Sequence, residues 1–142
     1  MSNELTDKQL WEEYWKNYKF QPVSNKPIYH KYLSSLKGKK SFIEIGGSPW
    51  LNASFFYNNI CKDVTLLDFY VEKTIINKVE QLHNIPADTI KCIESDFFAY
   101  SSDKRYDIVF SLGFIEHFAD THEVIKRHYD LLSEKGTLFI IL

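Results

Sequence analysis

The fold is decided by the stretch Ser41-Phe-Ile-Glu-Ile-Gly-Gly-Ser-Pro-Trp50, in which a short apolar run ends in an acid and two glycines. The apolar residues suit a strand that is buried on both faces, as in a parallel sheet. Gly46-Gly47 permits backbone angles and close approaches that a Cβ atom forbids. Ser48-Pro49 has the residue types of a helix start, with Ser48 as the N-cap. The stretch therefore predicts a strand, a tight turn and a helix N-terminus whose free amides accept a negatively charged ligand group.

The composition indicates one globular domain. The chain has 142 residues, of which 44% are hydrophobic and 16% aromatic, enough for a packed core. The formal net charge is -2, and acids and bases are mixed along the chain. No basic face indicates nucleic acid or an acidic membrane surface, so neither partner is expected.

Cysteine usage and the absence of targeting signals predict a cytoplasmic location. Cys61 and Cys92 are isolated, which favours buried reduced thiols over a disulfide. The first residues lack the pattern of a signal peptide. No apolar run approaches the roughly 20 residues that span a bilayer, so a soluble protein without a membrane partner is expected.

Residues 1–38 are predicted to form a helical segment. The pattern Leu5-Thr-Asp-Lys-Gln9 resembles a capping box, with Thr6 as the N-cap and Leu5 placed to contact Leu10. Helical spacing then gives an aromatic stripe, Leu10, Trp11, Tyr14, Trp15 and Tyr18. This helix either docks on the domain or acts as a lid that excludes water from a ligand cleft. A linker at residues 21–27 leads to a second amphipathic helix, with Ile28, Tyr29, Tyr32, Leu33 and Leu36, that stops at Gly38.

Residues 39–142 alternate between strand and helix patterns. After the strand at 41–45, the predicted elements are a helix at 48–59, strand 63–68, helix 71–83, strand 89–93, strand 106–111, a helix from Asp120 that ends at Gly136, and strand 137–142. Alternation without hairpin signals implies right-handed crossovers. The sequence therefore predicts an α/β fold with a doubly wound, mostly parallel sheet of five strands.

Polar residues follow the predicted strands at their carboxyl ends, where ligands bind in such sheets. The segments are Glu44–Ser48, Asp68-Phe69, Ser95–Phe97 and Ser111–His117. Asp68 lies 24 residues after Glu44, so one strand-helix-strand unit brings its carboxylate to a position where it can accept both hydroxyls of a ribose. The alternative is that Asp68 and Asp96 are turn or cap residues, for which aspartate is common.

Together these segments resemble the class I S-adenosylmethionine-dependent methyltransferases over residues 39–142. The stretch from Glu44 to Trp50 is similar to that family's first motif, an acid followed by a glycine-rich turn. The resemblance implies a Rossmann-like core, S-adenosylmethionine as the cofactor and methyl transfer to a small molecule by in-line displacement. It implies that Glu44 anchors the turn or the cofactor's ammonium group. The residues implied to pass close to the methionine part are Gly46, Gly47 and Ser48.

The same resemblance gives roles to three further segments. It implies that Asp68 binds the ribose and that Phe69 lies beside the adenine. Asp96 and Phe97 match the pair that meets the adenine amino group and ring face. The most specific piece is the run from Tyr106 to Phe118, which looks like the fourth-strand motif of small-molecule methyltransferases, including those that modify quinone precursors. The residues of this run that are implied to line the cleft are Ser111, Leu112 and Gly113.

His117, just after the predicted fourth strand, is the candidate catalytic residue. It would act as a general base for a hydroxyl or amine acceptor, since imidazole groups in general accept protons near neutral pH. The alternative is a histidine that covers the start of the next helix. The nearby Glu116, Asp120 and His122 match no familiar ligand spacing, so no metal site is expected.

Two rival functions stay open at this point. A nicotinamide-dependent oxidoreductase requires Gly-x-Gly-x-x-Gly after the strand, and residues 46–51 supply only its first glycine. A non-catalytic methyltransferase-like module would act as a scaffold or as the partner of another subunit. Two features favour this module over the methyltransferase: Ser48 and Trp50 stand where the family commonly has glycine, and relatives continue beyond the fifth strand, so that the core is expected to be C-terminally incomplete. Methyl transfer remains the preferred prediction.

The last predicted strand is expected to form an exposed edge. Residues 137–142 carry no charge and no proline and have high strand propensity. An edge with unpaired backbone groups is a template for pairing with another chain. The sequence therefore predicts a homodimer through this strand, or aggregation.

Overall fold

A five-stranded parallel sheet forms the centre of the molecule, in the order β3-β2-β1-β4-β5. The structure is a computed structural model that describes residues 6–19, 27, 29–49 and 51–142. The predicted α/β fold with five strands is confirmed, and the sheet is parallel throughout. The strands are β1 Ser41–Ile45, β2 Asp63–Asp68, β3 Lys91–Glu94, β4 Tyr106–Leu112 and β5 Leu132–Ile141.

Helices connect most of these strands. The α-helices are α1 Lys8–Lys16, α2 Leu51–Asn59, α3 Lys73–Leu82 and α4 Thr121–Asp130, and two 3₁₀ helices span His30–Leu36 and Ile115–His117. As predicted, Asp120 caps α4, because its side chain accepts a hydrogen bond from the Glu123 amide. None of the helices in the described residues has the length and apolar character needed to cross a membrane.

Strand register brings the carboxyl ends of the inner strands together. Ile45, the last residue of β1, pairs with Leu67 of β2 on one side and with Ser111 of β4 on the other. Asp68 pairs with Glu94 at the end of β3. The residues that follow these strands therefore meet at one edge of the sheet, which is where parallel α/β sheets bind ligands.

The core has two layers, one on each face of the sheet. On one face, the Phe42 ring stacks on Phe56 of α2 at a centroid distance of 4.0 Å. On the other face, Ile43 and Ile45 pack with Val124 of α4. These strand residues are fully buried, as the prediction of a strand covered on both faces requires.

The first helix begins one residue later than predicted. Asp7, and not Thr6, is the N-cap, because its Oδ1 accepts a hydrogen bond from the Leu10 amide at 2.9 Å. The Thr6 hydroxyl instead accepts a hydrogen bond from Trp11 Nε1 at 3.2 Å. The predicted contact of Leu5 lies outside the described residues, as do residues 20–26 of the linker region, Ile28 and Trp50.

The aromatic stripe of α1 is only partly covered. Trp15 is buried, and Trp11 and Tyr18 pack against the core from half-buried positions. Leu10 and Tyr14, by contrast, are 53% and 54% exposed. The helix therefore docks through its Trp11 and Trp15 side.

The predicted second helix is a 3₁₀ helix that ends at Leu36. Leu33 and Leu36 are buried, but Tyr32 is 60% exposed because the tighter 3₁₀ turn moves it off the buried face. Gly38 follows with φ of +84°, a conformation that glycine adopts without strain.

The last strand also differs from its prediction. Helix α4 ends at Asp130, so Gly136 does not end it, and β5 begins at Leu132. Residues 133–136 bulge outward, since Tyr106 pairs with Leu132 whereas Ile108 pairs with Thr137. Strand β5 has β4 as its neighbour and lies at the edge of the described sheet. Its pairing with a second copy stays a prediction.

Candidate cofactor site

The turn after β1 requires both of its glycines. Gly46 has φ of +64°, in the left-handed region that other residues rarely adopt. A Cβ atom on Gly47 would overlap the carboxyl carbon of Glu44. The fully buried Glu44 side chain thus occupies the space that the missing side chain of Gly47 leaves.

Glu44 connects the turn to the helix that follows. Its Oε1 accepts a hydrogen bond from Asn52 Nδ2 at 2.7 Å, and its Oε2 accepts one from the Ala53 amide at 3.0 Å. The Tyr29 hydroxyl donates a hydrogen bond to Asn52 Oδ1. This contact fixes the orientation of the Asn52 amide and links the first 3₁₀ helix region to the turn.

Burial raises the pKa of Glu44 to about 8, although the hydrogen bonds from Asn52 and Ala53 favour the ionised form. The nearby Asp68 carboxylate raises this pKa further. Glu44 is therefore a buried acid that exchanges its proton within the range of ordinary buffers.

Asp68, at the end of β2, is held by the residue that was predicted to cap α2. Ser48 donates two hydrogen bonds to Asp68 Oδ2, one from its hydroxyl at 2.8 Å and one from its amide at 3.2 Å. Ser48 is therefore not the N-cap, and α2 begins at Leu51. Burial raises the pKa of Asp68, and the hydrogen bonds from Ser48 oppose that shift.

A cavity of about 260 Å³ opens at this edge of the sheet. One side of it consists of residues from the turn and the strand ends, and the other side consists mainly of aromatic residues. The lining residues are Thr6, Trp11, Trp15, Gly46, Ser48, Asp68, Phe69, Leu112, Gly113, Phe114, His117 and Phe118.

Helix α1 forms the aromatic side of the cavity. Trp11 packs edge-on against His117, with ring centroids 5.1 Å apart and an interplanar angle of 85°. An exposed ion pair between Lys8 and Glu94 at 3.5 Å adds a weak contact at the end of β3. His117 therefore lies in the cavity wall and not only at the start of the next helix.

Phe114 lines the cavity, although the sequence analysis assigns it no specific role. A Cβ atom on Gly46 would overlap the Phe114 ring, so this ring rests directly on the backbone of the turn. Behind it, Phe114 packs against Phe97 at 5.4 Å and His128 at 5.8 Å. Its position in an apolar run after β4 predicts burial, but no spacing rule connects it to Gly46.

A known sequence family covers most of the chain. The family described as "Methyltransferase domain" matches residues 14–142, which include every strand of the sheet. The chain belongs to this family. No curated protein sequence matched it.

Solved structures of methyltransferases share the fold at low sequence identity. Coclaurine N-methyltransferase, bound to N-methylheliamine and S-adenosylhomocysteine, has a TM-score of 0.66 and 16% identity over 87% of this chain. N-methyltransferase NodS from Bradyrhizobium japonicum WM9, in complex with S-adenosylhomocysteine, has a TM-score of 0.65 and 18% identity over 93% of this chain. The glycopeptide N-methyltransferase MtfA complexed with sinefungin has a TM-score of 0.63 and 15% identity over 83% of this chain.

The chain is shorter than these proteins. It spans 38% of the coclaurine enzyme, 71% of NodS and 54% of MtfA. These likenesses support the methyltransferase fold, and the class I resemblance drawn from the sequence is confirmed at the level of the family.

Most of the predicted site residues of this methyltransferase domain meet at the cavity. Those that line it are Gly46, Ser48, Asp68, Phe69, Leu112, Gly113 and His117. Glu44 and Gly47 shape the turn from behind and do not belong to the described lining. Trp11 and Trp15 of α1 line it too. Whether this helix acts as a lid or only docks stays a prediction.

Three predicted residues lie elsewhere. Asp96 is exposed, and its Oδ1 accepts a hydrogen bond from the Phe98 amide at 2.7 Å. Phe97 and Ser111 are buried against His128, Phe97 at a ring distance of 4.9 Å and Ser111 through a hydrogen bond of 3.1 Å. None of the three is in the described cavity lining. Their cofactor contacts stay predictions.

His128 is a buried residue that the sequence analysis does not predict. Its Nδ1 lies 2.7 Å from the Val124 carbonyl, which can only accept, so Nδ1 donates and Nε2 accepts from the Ser111 hydroxyl. Burial lowers the pKa of His128 to about 4, which keeps it neutral. His128 lies four residues after Val124 on α4 and three before Leu131 at its C-cap, and this helical spacing of apolar residues is the signal that predicts its burial. Among the described residues, no group of three or more potential ligand side chains is arranged to hold a metal ion.

Glu44 should give the protein a pH-dependent stability. Its folded pKa of about 8 lies above the ordinary 4.5, so its stabilising contribution is full below about pH 4.5 and is lost as the pH rises through about 8. We expect the free energy of unfolding of the wild type to fall, relative to that of Glu44→Gln, across this window. Denaturant unfolding at several pH values measures the difference.

Tyr29→Phe is the matched control for this comparison, because it removes the hydroxyl that orients Asn52 and keeps Glu44. It should retain the pH-dependent loss relative to Glu44→Gln. A wild-type stability that differs from that of Glu44→Gln by a constant amount between pH 4.5 and 8 would show that Glu44 does not titrate there.

Proposed function

We propose that the cavity binds S-adenosylmethionine and that the chain belongs to an enzyme that methylates a small molecule. The observation that carries this proposal is the position of Asp68 beside Phe69, in one cavity with the backbone of Gly46 and Gly113. A carboxylate beside an aromatic ring suits a nucleoside, and glycine backbones permit a ligand to approach closely. The four residues come from the turns after β1, β2 and β4.

The residues present fit this cofactor. Ser48 donates two hydrogen bonds to Asp68 Oδ2. The Phe69 and Tyr70 amides also hydrogen-bond to this carboxylate. These donors fix the carboxylate at the cavity, where its remaining acceptor capacity would bind ribose hydroxyls. Phe69 offers a ring to the adenine. We also propose that Asp96, whose Oδ1 serves the Phe98 amide, keeps Oδ2 for the adenine amino group. The bound cofactor would supply a methyl group that is already activated on a positively charged sulfur.

The protein's own contribution would be positioning, exclusion of water and removal of a proton. Trp11, Trp15 and Phe118 would keep water from the cavity. His117 would accept the proton of a hydroxyl or amine acceptor from its position in the cavity wall. Its edge contact with Trp11 restricts the orientation of the imidazole ring.

Phe114 limits access to the turn. Because its ring rests on Gly46, a ligand that touches the Gly46 backbone requires this ring to move. The same contact favours the second candidate function, a methyltransferase-like domain that serves as a scaffold without catalysis. The two candidates differ in catalysis, and a scaffold in which Phe114 stays on Gly46 would also fail to bind the cofactor or its product.

The helical segment at residues 1–38 is proposed to act as a lid. Thr6, Trp11 and Trp15 line the cavity, and the ion pair that joins α1 to the end of β3 is exposed. A helix held in this way can open and close at modest free-energy cost. The alternative is a helix that stays docked whether or not a ligand is bound.

Replacement of Asp68 should weaken nucleoside binding. We expect Asp68→Ala to reduce the affinity for S-adenosylhomocysteine by about 1–3 kcal/mol, because a charged acceptor for two hydroxyls is lost. Isothermal titration calorimetry measures the change. Asp103→Ala, an exposed loop acid before β4, is the control and should bind as the wild type does.

Two outcomes would contradict this account. Unchanged affinity in a folded Asp68→Ala protein would remove Asp68 from the site. Binding of NAD, with no response to S-adenosylmethionine or S-adenosylhomocysteine, would favour the oxidoreductase over the methyltransferase.

The lid should respond to ligand. If α1 closes over bound nucleoside, S-adenosylhomocysteine should slow proteolysis within residues 6–19 and shift tryptophan fluorescence. A truncated chain that lacks residues 1–19 supplies the comparison, and it should lose much of the ligand-dependent protection of the remaining domain. Equal protection with and without the segment would refute the lid.

A further inference from the structure

The wall of the cavity that faces the strand ends is unusual in its chemistry. Four aromatic side chains form most of it, together with His117. They are Trp11, Trp15, Phe114 and Phe118. We call these four residues and His117 the aromatic wall. Trp11 and Trp15 come from α1, and the other residues come from the segment after β4.

The described lining of the cavity carries a negative side chain and no lysine or arginine. Asp68 is its one acidic residue. Bringing an anionic ligand into such a space removes water from a charge and provides no cation in return. A cationic ligand gains from the faces of the aromatic rings. The Asp68 carboxylate, even while it binds a ribose, makes the cavity favourable for positive charge.

The aromatic wall is also held in place. Trp11 Nε1 donates a hydrogen bond to Thr6 Oγ1 at 3.2 Å, and the indole meets His117 edge-on. Phe114 and Phe118 pack against each other with centroids 4.9 Å apart. Trp15 is buried to 8% exposure. When α1 is docked as in this structure, these rings already pack against one another, so a ligand that binds on their side of the cavity requires little further ordering of the wall.

We propose that the aromatic wall binds the methyl acceptor and that this acceptor is a small arylalkylamine in its protonated form. The rings match a flat apolar body, and the negative character of the cavity matches an ammonium group. The cavity of about 260 Å³ must also admit part of the cofactor, so we propose an acceptor with a single ring and a short side chain. The assignment of this ligand as the acceptor rests on the proposed function, whereas its chemical class rests on the wall alone.

Three probes with the same ring and nearly the same size separate the charges. 2-Phenylethylamine is cationic, 2-phenylethanol is neutral and phenylacetate is anionic near neutral pH. Calorimetry with the 142-residue chain should give an affinity order of amine, then alcohol, then acid, with the amine at least about tenfold tighter than the acid. The acid binding as tightly as the amine would overturn the proposal, and so would no binding by any probe.

A substitution on α1 tests whether the wall is the site. Trp11→Leu keeps an apolar side chain and removes the indole face, so amine affinity should fall about tenfold. Tyr14→Phe is the control, because Tyr14 is exposed on the same helix and does not line the cavity. Circular dichroism verifies that both variants fold. Equal effects of the two substitutions, or none from Trp11→Leu, would place the amine elsewhere.

Saturation with S-adenosylhomocysteine separates this proposal from the proposed function. If cofactor and acceptor occupy different sides of the cavity, 2-phenylethylamine should still bind to the saturated chain. Displacement of one by the other would contradict a separate acceptor site. A chain that does not bind S-adenosylhomocysteine but still prefers the amine would contradict the proposed function and support the ligand class.

Discussion

The carboxyl group of Glu44 lies in the protein interior, and the geometry of the whole site depends on how it is accommodated. It belongs to the residue before the end of β1, fills the space beside Gly47 and accepts hydrogen bonds from Asn52 and the Ala53 amide. Strand, turn and helix α2 therefore converge on one side chain. A buried acid without these donors would cost several kcal/mol, so the glycine turn and the start of α2 are specified together.

The Glu44 arrangement leaves the strand ends available for a ligand. Because Glu44 is directed toward α2, the acid that faces the cavity is Asp68, and Ser48 holds it there. Ser48 follows Gly46 and Gly47 in the same turn. This short segment therefore leaves room for the buried Glu44 side chain and also orients the Asp68 carboxylate at the cavity. This division explains how two acids of the family pattern serve different purposes in one site.

The sequence was sufficient for the fold because its signals are local and repeated. Strand and helix periods alternate, and the acid-glycine turn occurs where a parallel sheet needs it. The sequence did not predict the caps where the side chain of the expected cap residue forms its hydrogen bond with another residue. Ser48 has the residue type of an N-cap, but Asp68, 20 positions away, takes its hydroxyl. Asp7 displaced Thr6 as a cap because Trp11 supplied a partner for the Thr6 hydroxyl.

The same contrast between local signals and distant contacts applies to the residues of the candidate site. Those on the turn and strand ends reached the cavity because strand register aligns them, as Ile45 with Ser111 illustrates. Phe114 was not predictable, since its contact with Gly46 depends on how the segment after β4 folds back. The bulge of residues 133–136 was likewise not predictable. A Cβ atom on Gly136 would crowd Leu132, Ser133 and the Tyr106 carbonyl oxygen, and no periodic pattern encodes this packing.

The central claim is that a nucleoside cofactor occupies the cavity at the ends of β1, β2 and β4. Backbone amide NMR spectra of the isotopically labelled chain, recorded during titration with S-adenosylhomocysteine, test it most directly. The account predicts that the largest shift changes fall on Gly46, Ser48, Phe69, Leu112 and Gly113. Changes confined to residues 100–105, at the opposite end of the sheet, or no change at saturating ligand, would contradict it.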